Sequence, residues 1–148
     1  METGFRGFLM NIEIKKPRVY LETSVISYLT ARPSRDLIVA ANQQMTHEWW
    51  QIRRAAFDVF VSELVIQEVS GGDDAAAQRR LEALANIPLL VLTPEVATLA
   101  DQLVREGPLP SQAGADAMHI AIATRKWYGL SADLELHSFG KCSISLTY

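Results

Sequence analysis

A chain of 148 residues, nearly half of them apolar, is long enough to bury a single-domain core and too apolar to be disordered. Its net charge of −3 gives no global attraction for nucleic acid, which leaves that task to local patches, and its single cysteine excludes an internal disulfide. No apolar run approaches the ~20 residues that span a bilayer, and the first residues lack the apolar core of a signal peptide, so the expected setting is the cytoplasm with no membrane partner.

Residues 1–17 read as an N-terminal extension, with Met10 a second candidate start, and residues 18–148 as one domain. Arg18 to Leu21 is a short apolar strand. Thr23 or Ser24 can cap the helix that follows, Val25 to Leu29, and Arg32-Pro33-Ser34 breaks it. A long helix is expected from about Ser34 to Ala56, on the helical recurrence of Leu37, Ala41, Met45, Glu48 and Trp49. Trp49 and Trp50 are adjacent, so one is expected to pack and the other to face a partner, which points to a homodimer. Asp58 to Ser62 is a buried strand, and Ser62 caps a short helix that stops at Ser70-Gly71-Gly72.

Asp73 to Ala85 is an alanine-rich helix, Pro88 to Leu92 a third strand, and Pro94 opens a helix that runs to about Glu106. After the loop at Gly107-Pro108-Leu109-Pro110, a last helix spans Ala113 to Tyr128 and closes at Gly129. Strands alternating with helices give an α/β class: a three-layer α/β/α sandwich around a mostly parallel sheet. Arg53-Arg54, Arg79-Arg80 and Arg125-Lys126 are the candidate basic spots, each more often just a solvated helix face.

Three acids stand beside apolar segments: Glu22 after the first strand, Glu68 in the short helix after the second, and Asp116 at the start of the last helix. Ligands of open α/β sheets bind beyond the carboxyl ends of the strands, a crevice all three can reach. Carboxylates gathered there would repel one another, and a hard divalent cation, Mg²⁺ or Mn²⁺, removes the conflict. The chemistry implied is hydrolysis of a phosphodiester by a metal-bound water. Each acid alone is also explained as a helix-end or surface charge. His119 lies one turn beyond Asp116 and supports the site or simply packs. The other histidines, 47 and 137, are isolated, which argues against zinc.

The segments Val19-Tyr20-Leu21-Glu22-Thr23-Ser24-Val25-Ile26, Val61 to Val69 and Gly114 to Ala121 resemble, in this order and spacing, the three acidic motifs of the PIN-domain family, and within it the VapC-type toxins of bacterial toxin–antitoxin pairs. Glu22 stands where that family usually has Asp. The resemblance covers roughly Arg18 to Gly129. It implies a Mg²⁺- or Mn²⁺-dependent ribonuclease with Glu22, Glu68 and Asp116 as metal-binding catalytic acids and Thr23, Ser24 and His119 in support. It also implies an RNA substrate, a homodimer and a small antitoxin as partner.

Residues 130–148 depart from the family pattern, which continues with a strand and a Thr-Trp-Asn or Thr-x-Asp segment carrying a fourth polar site residue. One permitted back-translation of Tyr128 to Cys142 reads, from its second base, Met-Asp-Tyr-Leu-Leu-Thr-Trp-Asn-Phe-Thr-His-Leu-Ala-Asn. A frameshift therefore explains the tail, and its last strand is expected to be altered. Simple divergence is the alternative, with Leu130 to Leu136 alternating well enough for an edge strand and Asp133 or Glu135 in place of the missing group. Three functions are thus weighed: the ribonuclease toxin; an impaired PIN fold that binds antitoxin or RNA without efficient cleavage; and a receiver- or phosphatase-like domain, disfavoured by the absence of an Asp-x-Asp pair.

Overall fold

A computed structural model describes residues 16–107, 109–110 and 112–128. Three strands, β1 (Arg18–Tyr20), β2 (Asp58–Ser62) and β3 (Leu89–Leu90), form a parallel sheet in the order β1-β2-β3. Tyr20 lies opposite Phe60, and Val61 opposite Leu89. Parallel neighbours need long crossovers, and helices supply them. Between β1 and β2 run α1 (Thr23–Thr30) and α2 (Leu37–Glu48); between β2 and β3 run α3 (Glu63–Val69) and α4 (Asp74–Leu84). After β3 come α5 (Pro94–Arg105) and α6 (Gly114–Tyr128).

Successive residues of a strand point to opposite faces, and β2 uses both. Val59 and Val61 join Leu21, Ile26, Val65, Val69, Leu84 and Ile87 on the side of α1, α3 and α4. Phe60 packs with Leu90, Val96, Ala100, Leu103, Ala117, Ala121 and Ile122 on the side of α5 and α6. Ile26, Val61 and Val65 are among the most completely buried side chains, each contributing roughly 1.5–3 kcal/mol relative to exposure. The expected α/β class with a parallel, helix-flanked sheet is therefore the observed one.

Ser62 caps α3 through Val65 N–H, as expected from the sequence, and Pro94 opens α5. Asp36 caps α2 and Asp73 caps α4. Two expectations need correction. The N-cap of α1 is Glu22, so neither Thr23 nor Ser24 has that role. The long helix to Ala56 ends as α2 at Glu48, continues as a π-helical turn over Trp49–Arg53 and closes in a 3₁₀ turn at Arg54–Ala56. Adjacent residues on an α-helix point about 100° apart. The widened turn lets both tryptophans reach the core: both pack against the α1/α3/α4 cluster, Trp49 lies 5.8 Å from the ring of Phe57, and Arg54 covers Trp50 at 4.4 Å. Along α2 and the turn after it, the large apolar groups left in solvent are instead Leu37, Ile38, Met45 and Ile52. The N-terminal extension before Lys16, the close at Gly129 and the tail 130–148 lie outside the described residues.

The turn between α1 and α2 is held by a buried amide. Gln43 is 7% exposed; its oxygen accepts from Ser34 N–H at 2.9 Å and its NH₂ donates to Arg32 C=O at 2.9 Å. Gln43→Leu is expected to strand both backbone groups and cost about 1–3 kcal/mol, measured by urea unfolding at constant slope.

Candidate functional site

At the carboxyl ends of β1 and β2 the chain turns directly into α1 and α3. Glu22, the N-cap of α1, has extended backbone (φ −92°, ψ 172°), and its side chain makes no capping bond, so the carboxylate is not spent on the helix. Thr23, the first residue of α1, donates its hydroxyl to Oε2 of Glu68 in the last turn of α3. The same oxygen lies 3.4 Å from Nε2 of His119 on α6. His119 is nearly buried, whereas the Glu68 side chain is 30% exposed. Glu68 thus joins residues 45 and 51 positions away, one from each of the other two acidic segments.

Behind this carboxylate a chain of hydrogen bonds leads into the sheet. His119 Nδ1 lies 2.7 Å from the Tyr20 hydroxyl, which lies 2.8 Å from Ser62 Oγ, and that oxygen accepts from Val65 N–H. One proton arrangement satisfies every group with neutral histidine. Nε2–H faces Glu68, Nδ1 accepts from Tyr20, and the Tyr20 oxygen accepts from Ser62. The other neutral tautomer would set a bare nitrogen against a carboxylate. His119 therefore carries a role beyond packing: its ring orients toward Glu68 because Tyr20 holds the opposite nitrogen.

Burial pushes the Tyr20 hydroxyl up to about 12, against the bond from Ser62, with the nearby charges of Glu68 and then Glu22 adding to the rise. Both carboxylates thus bear on one hydroxyl at the end of β1. Folded Tyr20 keeps its proton beyond the ordinary value of 10.0, so its contribution to stability is complete below that pH and is lost as pH rises to about 12. The stability gap between the native chain and Tyr20→Phe is expected to narrow across this window in thermal melts.

Asp116 stands exposed in the first turn of α6, where an acid favours the positive end of the helix dipole. It precedes His119 by three residues, so the two are neighbours on one face of the helix. Ser24 is exposed. Glu68, Thr23 and His119 are thus in contact, Glu22 shares the field at Tyr20, and Asp116 lies a turn away. Among the described residues no group of three His, Cys, Asp or Glu side chains is close enough to hold a metal. In kind, the donors fit a hard divalent cation: they are carboxylate oxygens, and that of Glu22 is unused by its helix.

Two residues of this constellation go unmarked in the sequence, Tyr20 and Ser62. The usable signal is alternation: Tyr20 lies two residues before Glu22 and so shares its side of an extended segment. Glu63 is a third omission. Its Oε2 accepts from Leu92 N–H at 2.8 Å, tying the start of α3 to the end of β3.

The ends of β1 and β2 lead directly to Glu22 and to the helix that carries Glu68, at the carboxyl edge where open α/β sheets generally bind ligands. The chain belongs to the PIN domain family, whose model matches residues 19–131. Members of that family are generally Mg²⁺- or Mn²⁺-dependent nucleases. No curated protein and no solved structure matches the chain. No helix among the described residues is long and apolar enough to cross a membrane.

Proposed function

We propose that this protein is a Mg²⁺- or Mn²⁺-dependent endoribonuclease of the VapC type, the toxin of a toxin–antitoxin pair. One observation carries the proposal: the Glu68 carboxylate is touched by Thr23 from the first acidic segment and by His119 from the third, so the three motifs meet at one point. Glu22, Glu68 and Asp116 are the residues that would hold the cation. When bound, it would supply a water activated for attack on phosphorus and a charge opposite the leaving oxygen. The chain's own part is positioning. Thr23 and His119 fix Glu68, and Tyr20 fixes His119. The capping position of Glu22 sets its carboxylate at the strand end. A labelled RNA incubated with the purified protein is expected to be cut with Mg²⁺ or Mn²⁺ and to survive with EDTA; cleavage that persists in EDTA overturns the metal mechanism.

A small antitoxin covering the acids, a homodimer and a cytoplasmic setting complete the proposal, with residues 18–148 as one domain. The dimer is supported by Ile38, Met45 and Ile52, exposed at seven-residue steps along α2 and the turn after it. Sedimentation at micromolar concentration tests it.

The second reading, an impaired PIN fold that binds antitoxin or RNA without efficient cleavage, is favoured by a specific observation. Residues 130–148 lack the Thr-Trp-Asn segment that the family resemblance leads one to expect. Weak cleavage by the native chain alongside normal RNA binding would select it.

A further inference from the structure

The cleft between the second half of α1 and the start of α4 encloses about 570 Å³ and is lined by Ser27, Thr30, Arg32, Asp73, Arg79 and Arg80, among others. Three arginines and one aspartate thus line one cleft in a protein whose net charge is −3. That carboxylate is already engaged, since Asp73 Oδ1 accepts from Ala76 N–H at 2.9 Å. Among the described residues none of the three arginines is paired with an acid, and Arg32 and Arg79 are exposed. Their positions are nevertheless built. Arg80 donates to Val69 C=O at 2.9 Å and Gly71 C=O at 2.5 Å, and the backbone of Arg32 is held by Gln43.

The cleft's place matters as much as its charge. The carbonyls that anchor Arg80 belong to the residues just after Glu68, and α1 carries Glu22 at one end and Thr30 at the other. Along that helix Ser27 and Thr30 lie about 8 and 12 Å from Glu22. A cleft with more arginines than acids that starts behind an acidic centre suits a polyanion whose charges repeat along its length. Guanidiniums grip phosphate oxygens, and the hydroxyl of Ser27 can donate to them, whereas Thr30 gives its own proton to Ile26 C=O at 2.9 Å.

We infer that this cleft binds the phosphate backbone of single-stranded RNA beside the cleaved bond, with Arg32 and Arg79 as its charged grips. The inference rests on the nuclease proposal above and extends it to how substrate is held. Neither arginine side chain supports the fold through a described hydrogen bond, so Arg32→Gln with Arg79→Gln should fold normally. Arg80 is left alone because it pins α3.

The experiment uses fluorescence anisotropy with a labelled RNA of about ten nucleotides, within the range of single-strand sites. The background is Glu68→Gln, so that the RNA stays whole. The double variant is expected to weaken binding about 10-fold and to lower the slope of log affinity against log salt by about 1.4, two phosphates at about 0.7 each. Unchanged affinity and slope, with melting matched by circular dichroism, overturn the inference. So does a variant that binds RNA normally but loses an acidic peptide, which would make the cleft a protein-docking site. Arg79→Glu serves as a second variant and should weaken RNA binding further; RNA binding equal to the native chain counts against the cleft. Failure of the nuclease proposal looks different: cleavage by the native chain would then be indifferent to Glu68→Gln, whatever the arginines do.

Discussion

Glu68→Gln is expected to reduce Mg²⁺-dependent RNA cleavage by about 100- to 1000-fold, the several kcal/mol that a bound metal contributes to a transition state. The change keeps the shape of the side chain and removes its charge. The amide oxygen can still accept from Thr23, so α3 keeps its tie to α1. The partly exposed position limits the effect on stability to within about 1 kcal/mol. What is lost is an anionic donor for the cation and the charge facing His119 Nε2. Single-turnover cleavage of labelled RNA, with purity and melting temperature matched, measures it. Glu22→Gln and Asp116→Asn should fall in the same range; if Glu68→Gln cuts RNA as the native chain does, Glu68 has no part in the chemistry.

The second large effect concerns the coding frame. The nucleotide sequence from Lys126 onward is expected to spell Thr-Trp-Asn when read one base later. Residues 130–148 as translated would then owe nothing to selection for this fold, and a chain rebuilt in the shifted frame should regain the fourth polar site residue. Partners of metal ligands are typically worth 10- to 100-fold in metal affinity or activity. The rebuilt chain is therefore expected to bind Mn²⁺ about 10- to 100-fold more tightly than the native one, by isothermal titration, and to cleave RNA correspondingly faster. Codons that do not encode that segment in any frame remove the frameshift. Equal Mn²⁺ affinity of the two chains removes its functional consequence.

What the sequence discloses about the fold follows from local rules. The run Asp58 to Ser62 is readable because Val59, Phe60 and Val61 form a short continuous apolar run of the kind a strand buried on both faces carries, and because Ser62 is a good cap. Asp73 and Pro94 mark helix starts for equally local reasons. The turn after Glu48 is not readable, because the reason for its widening is tertiary: two adjacent tryptophans are drawn to one core. The acids at 22, 68 and 116 announce themselves by sitting against apolar runs. Only some of the residues that orient them do. His119 stands out by its place one turn after Asp116, but its partner Tyr20, 99 positions away, reads as an ordinary member of an apolar strand until the fold brings the two to 2.7 Å. Glu63 is hidden differently, since an acid in the first turn of a helix already has a local explanation.

The helix that carries Glu68 is only seven residues long. On its own such a segment would hardly populate a helix, because nucleation costs more than so few bonds return. It is fastened at both ends by groups distant in sequence: Glu63 grips Leu92 N–H at the front, and Arg80 grips the carbonyls of Val69 and Gly71 at the rear. Its own Val65 and Val69 form a fully buried inner face. A segment fastened this way is expected to resist fraying while the rest of the domain stands. Its amides should exchange with solvent deuterium only through global opening, as slowly as those of the central strand. The carboxylate would then keep its place as long as the molecule remains folded, and the same seven residues transplanted without their two fasteners would lose it.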